Sequence, residues 1–165
     1  MNRLIKVFAV SGIVFALDQI SKIIVRKMMV LHESFQVLGN FLQITYVENS
    51  GMAFGISIRH MYIITILSVV LTGFAVAYLF SIRNEKNLQP YGIALIVGGA
   101  FGNLVDRIFR GEVTDFIDVG IPNYFSNRWW IFNISDAAIT IGIVFFLISS
   151  YILEREIRRK KDIQE

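Results

Sequence analysis

Two aspartates, Asp115 and Asp136, are the side chains of this sequence best suited to chemistry. Two carboxyl groups held close together repel and desolvate one another, which raises a carboxyl pKa by up to ~3–5 units in full burial. A helix start favours an ionised carboxylate by only ~0.3–1 kcal/mol. Repulsion wins, so such a pair holds one shared proton and titrates as a unit. It can then hydrolyse an amide. The ionised member takes a proton from attacking water, and the protonated member donates to the carbonyl oxygen or the leaving amine. Another reading of the same residues stands beside this one, with Asp136 as a helix cap and Asp115 as a solvated loop residue. Asp118, three residues after Asp115, competes for its place.

Other chemistries are poorly served. The absence of cysteine excludes disulfides, thiol catalysis and thiolate metal sites. His32 and His60 are the only histidines and no HExxH spacing occurs, so neither a zinc peptidase nor any other metal or cofactor is expected. Ser21 and Lys22 are adjacent, but neighbours on a helix point roughly 100° apart, which argues against a Ser/Lys dyad. Asp18 and Lys22 are one helical turn apart and read as an ion pair. Gly98 and Gly102 form a small-xxx-small face for close helix approach. Asn103 and Arg107 add polar groups one turn apart, and Asp106 reads as structural.

These residues sit within long apolar blocks. The sequence is 55% hydrophobic, and its apolar content gathers at approximately 5–25, 61–82, 91–109 and 131–152. Each block is about the 20 residues that cross ~30 Å of hydrocarbon. The first is preceded by Arg3 and Lys6, as a signal peptide would be, but Asp18 and Lys22 interrupt it and no small-x-small site follows. It reads as a retained span, with Asp18 ~18 Å beyond Lys6. A charge at that depth costs at least ~2.5–3.5 kcal/mol and must face protein and pair.

Arg3, Lys6, Arg83, Lys86 and the 155–161 basic tail share one side only if both termini are cytoplasmic, although Arg26, Lys27, Arg59, Arg110 and Arg128 fall on the other. The basic residues flank apolar blocks, so a pI of 9.3 reflects membrane topology and not nucleic acid. Residues 35–47 read as a hairpin around Gly39-Asn40, and 113–119 as a further strand. Trp129 and Trp130 suit the membrane interface before the fourth span. Counting back ~27 Å from Glu154 puts Asp136 near the outer boundary, and Asp115 lies on the segment leading into the same helix. The expected fold is a mainly α membrane protein, one domain over residues 1–165, with four transmembrane helices and a small extracytoplasmic β platform.

Five motifs in order sharpen this picture: Asp18-Gln-Ile-Ser-Lys22, Asn49-Ser-Gly-Met-Ala-Phe-Gly55, Gly98-Gly-Ala-Phe-Gly-Asn-Leu-Val-Asp-Arg107, Val113-Thr-Asp115-Phe, and Phe132-Asn-Ile-Ser-Asp136. Together they resemble the lipoprotein signal peptidase (signal peptidase II) family. The resemblance implies an aspartyl endopeptidase of the bacterial cytoplasmic membrane. It would remove signal peptides from diacylglyceryl-modified prolipoproteins, cutting just before the lipidated cysteine. Asp115 and Asp136 would be catalytic. Asn49, Gly51, Asn103, Arg107 and Asn133 would line or support the site, and Asp18 and Lys22 would be the buried pair near it. Its partners would be those substrates, membrane lipid and globomycin-type cyclic peptide inhibitors.

Many family members carry alanine where this chain has Ser135, so a changed hydrogen bond to Asp136 is expected. The 49–55 loop is expected to cover the site. Two other classes remain to be weighed: a transporter with Asp18, Lys22 and Arg107 along a polar path, and a non-catalytic assembly protein using the glycine face.

Overall fold

The computed structural model describes residues 3–50, 61–120 and 131–163. Four helices, each long and apolar enough to cross a membrane, account for most of them: α1 Arg3–Met28, α2 Met61–Ile82, α3 Gln89–Arg110 and α4 Ile134–Asp162. Ile63, Ile66, Leu67, Val70 and Phe74 of α2 are exposed, as are Ile141, Val144, Leu147 and Ile148 of α4. Helices that stay apolar on their outer faces belong in lipid.

Helix α3 is the centre of the bundle, packed against each of the other three. Missing side chains let it sit there. A Cβ on Gly98 would stand 2.6 Å from the Ser11 carbonyl oxygen of α1. One on Gly99 would collide with the Ser135 carbonyl of α4, and one on Gly142 would lie 2.7 Å from the Gly92 carbonyl. The expected small-xxx-small face is thus only half of the design, because glycines on both sides of α3 admit a neighbour. Away from the sheet, Val7, Leu79, Ile93, Ala94 and Val97 form an apolar core.

Strands β1 Ser34–Leu38, β2 Leu42–Asn49, β3 Val113–Val119 and β4 Ile131–Phe132 make one antiparallel sheet in the order β1-β2-β3-β4. They follow α1, follow α3 and precede α4, so the sheet lies at one end of the bundle and the α2–α3 turn at the other. Gly39, at φ +52°, makes the hairpin turn. The register slips by one residue between Ile44 and Val47, where Tyr46 turns its backbone to His32 and Glu33. A bulge of this kind re-aims a strand locally.

Helices α1, α3 and α4 overrun their expected spans, α4 as far as Asp162, but the start of α4 falls short of its expected place. Ile131 and Phe132 are not the start of the fourth span but a short strand opposite Asp118 and Ile117. The helix begins only at Ile134, because Asn133 and Asp136 form a capping box in which each side chain accepts from the other's backbone N–H. Trp129, Trp130 and most of the 49–55 loop lie outside the described residues.

Close helix approach yields a direct expectation. Gly98→Ala should lower stability by about 1–3 kcal/mol through overpacking against backbone. Gly73→Ala, with nothing within 4 Å of the added methyl, should hold or raise it. Thermal unfolding in detergent distinguishes the two.

Candidate active site

Gly111 ends α3 in the left-handed region at φ +82°, its N–H bonded to the Arg107 carbonyl oxygen. Glycine reaches this conformation at little cost. It turns the chain sharply into β3, which carries Asp115 between β2 and β4. Asn133 then stops β4 and caps α4, which leaves Asp136 in the first turn of the helix.

These two local signals bring the aspartates to one residue. The Asn133 carboxamide Nδ2 donates to Asp115 Oδ1 at 2.6 Å, and its backbone N–H donates to Asp136 Oδ2 at 3.2 Å. Asn49, at the end of β2, donates from Nδ2 to the other Asp115 oxygen at 3.0 Å. Asn103 of α3 donates from Nδ2 to Asp136 Oδ1 at 2.7 Å. Three carboxamides and one backbone amide therefore hold four carboxylate oxygens. The Arg107 guanidinium is close enough for its charge to be felt by Asp136, Asp115 and Asp106.

Asp115 is buried, and burial pushes its carboxyl up to about 6. Hydrogen bonds from Asn49 and Asn133 pull the other way, while the negative charge of Asp136 adds to the rise. The solvated-loop alternative for Asp115 therefore fails. The capping alternative for Asp136 holds in part, since it closes the capping box and faces Asp115's partners at once. Asp118 is buried elsewhere, accepting from the Thr45 hydroxyl at 2.7 Å.

Behind the aspartates lies a cluster of buried charge. The Lys22 ammonium bonds Asp18 at 2.8 Å and Asp106 at 2.9 Å, with all three side chains almost wholly buried. Arg26 lies 3.8 Å from Asp106 and donates to the Thr114 hydroxyl beside Asp115. The Ser21 hydroxyl bonds the Asp18 carbonyl oxygen, away from any dyad with Lys22. Arg26, which the sequence reading placed only among the basic residues of the outer side, lies on α1, and its i, i+4, i+8 spacing with Asp18 and Lys22 is the signal that could have found it. No signal of that kind pointed to Asp106 as the partner of Lys22.

Ser135 departs from expectation. Its hydroxyl makes no hydrogen bond among the described residues and packs into the space left by Gly102, while its backbone N–H donates to Asp18 at 2.9 Å. The helix direction at Ser135 turns its side chain toward α1 and α3 and away from the Asp136 carboxylate. Gly51 lies outside the described residues.

Fold and site together define a multi-pass membrane protein with a carboxylate pair, one buried and one half-buried, at the sheet end of its bundle. The signal peptidase (SPase) II family matches over residues 10–152. A lipoprotein signal peptidase of Syntrophus aciditrophicus (strain SB) is 38% identical over 152 residues, covering 88% of this chain and 92% of that protein. Two solved bacterial membrane enzymes are also similar. One has a TM-score of 0.76 at 32% identity, over 88% of this chain and 87% of that one. The other has a TM-score of 0.73 at 33% identity, over 87% and 90%. The chain belongs to the signal peptidase II family.

The raised Asp115 carboxyl makes stability depend on pH with a definite sign. A protonated form favoured by folding stabilises fully below the ordinary value of 3.8, and that contribution is lost as pH rises through about 6. The thermal midpoint should therefore carry a falling component across this window, and Asp115→Asn should remove it. Asn133→Ala should cost about 0.5–2 kcal/mol as a lost cap, more if the two carboxylates then repel freely. Unfolding curves at several pH values check both.

Proposed function

We propose that this protein is a membrane aspartyl endopeptidase that removes signal peptides from diacylglyceryl-modified prolipoproteins, cutting just before the lipidated cysteine. The single observation that carries the reading is the convergence of Asp115 and Asp136 on Asn133, one residue hydrogen-bonded to both. Family membership and the lipoprotein signal peptidase relative supply the substrate class.

Asp136 is the resting carboxylate and Asp115 holds the proton. Both aspartates have donors on each oxygen, but only Asp136 sits in the first turn of α4, where the helix dipole favours negative charge. Asp115 is the more buried of the two, in the setting that favours the neutral acid. Asp136 removes a proton from water as the oxygen attacks the carbonyl carbon of the residue before cysteine. Asp115 gives its proton to the carbonyl oxygen. As the tetrahedral intermediate collapses, the C–N bond breaks, the cysteine nitrogen takes the proton held by Asp136, and Asp115 regains its own from the reforming carboxyl. The products are a signal peptide with a new carboxyl terminus and a lipoprotein with a free amino group. Arg107 holds substrate polar groups beside the pair.

A site within the bilayer suits this substrate. Moving diacylglyceryl chains into water costs ~0.8 kcal/mol for each CH2, so lateral entry from lipid avoids that cost. The sheet end faces the extracytoplasmic side and both termini face the cytoplasm of a bacterial inner membrane. In support, Arg3, Lys6, Arg83, Lys86 and the basic tail of α4 all belong to the end opposite the sheet. Globomycin-type cyclic peptides are expected to occupy the same carboxylates.

Asp115→Asn and Asp136→Asn should each abolish cleavage of a lipidated precursor in detergent while the thermal midpoint survives. Turnover by either variant would sink the assignment. With Asp115 as the acid, kcat/KM for the native enzyme should decline as pH rises through about 6. Chelators should leave turnover unchanged.

A further inference from the structure

The Asn103 carboxamide lies between two opposite charges. Its Oδ1 accepts from the Lys22 ammonium at 2.9 Å and from Asn133 Nδ2 at 3.1 Å, while its Nδ2 donates to Asp136 at 2.7 Å. Turning the amide over would aim its NH2 at an ammonium and at another NH2, and its oxygen at a carboxylate. All three contacts would become repulsive. The amide therefore has one orientation, and the ammonium is the strongest group imposing it.

Lys22 has three N–H donors. One goes to Asp18, a turn away on α1 itself, and one to Asp106 of α3, which ties the two helices together. Those bonds suffice for a structural pair, and together with Arg26 they balance the charge of the cluster. The third N–H also crosses to α3, but it meets a neutral carboxamide there and no counter-charge. It reaches toward the candidate site, to the one side chain among the described residues that donates to Asp136 Oδ1.

We propose that Lys22 is a positioning residue for the peptidase reaction: its buried ammonium clamps the Asn103 carboxamide so that Asn103 keeps an N–H on Asp136 throughout turnover. This rests on the carboxylate pair being catalytic. Lys22 touches neither substrate nor reacting atoms and acts through Asn103. Replacing it loosens the amide, and Asp136 loses the donor that aims its lone pairs at water. A misplacement of about 1 Å costs on the order of 10²-fold in rate.

The test uses the full-length protein in detergent and a lipidated precursor peptide, with charge kept balanced so that the fold survives. Relative to Asp106→Asn alone, Lys22→Met with Asp106→Asn should lower kcat by roughly 10²-fold, with KM moved by less than about two-fold and the thermal midpoint retained. In an Asn103→Ala background the same Lys22 change should have no further effect on kcat, because the relay is already cut. Losses that multiply in that background, or a native kcat without the ammonium, would overturn the proposal. If the first pair does not fold, Lys22→Met with Asp18→Asn takes its place. Failure of both to fold would assign the ammonium to the fold alone and overturn it as well. Asp136→Asn is the control for the underlying reading. If that variant cleaves, the peptidase assignment falls, whereas a dead Asp136→Asn with multiplying Lys22 losses removes only the relay.

Discussion

Burying the Lys22 ammonium between α1 and α3 is the constraint on which the rest of the site depends. A charge within the bilayer costs at least ~2.5–3.5 kcal/mol and persists only when its donors are matched. Asp18, Asp106 and Asn103 supply three acceptors, at 2.8, 2.9 and 2.9 Å. Meeting them demands that the two helices nearly touch. Gly102 makes this possible, since a Cβ there would strike both the Asp18 carboxylate at 2.5 Å and the Ser135 side chain. The Asp18 carboxylate also accepts from the Ser135 backbone, so the start of α4 is registered against α1 by the same cluster. Three helices are locked at one depth.

From that locked depth the site is assembled by chain ends. A left-handed glycine after α3 and an asparagine cap before α4 are short-range devices, each acting over one turn. Because the helices they terminate are already in register, both devices open into the same small volume. Asn133 satisfies a helix end and bridges two carboxylates with one side chain. Structural economy of this kind leaves little slack: a residue that caps the helix cannot move without disturbing the acid pair.

The outer faces tell a complementary story. Apolar side chains on α2 and α4 remain exposed because their solvent is lipid, while polar groups are concentrated inward and toward the sheet. Glu48 of β2 accepts from Arg110 and from the Tyr46 hydroxyl, both at 2.6 Å, tying the strand that carries Asn49 to the end of α3. The sheet thus holds Asp115 by its neighbours on either side while the bundle holds Asp136 from below.

Much of this was legible in the sequence. Four apolar blocks predict four helices because a chain in lipid must satisfy its backbone internally. The Gly39 hairpin and the 113–119 strand follow from turn chemistry and alternation. Asp18 and Lys22 are neighbours on any helix, and ordered motifs point to Asp115 and Asp136. The start of α4 was misplaced because Ile131 and Phe132 are as apolar as the span, and only pairing with β3 makes them a strand. Asp106 as the partner of Lys22, the bridging by Asn133 and the inward turn of the Ser135 hydroxyl lay beyond the sequence. They depend on distances between elements 18 to 117 residues apart, which no local pattern encodes. Propensity, capping and hydrophobic length act within a few turns, whereas a shared hydrogen bond between helices exists only once packing has brought them together.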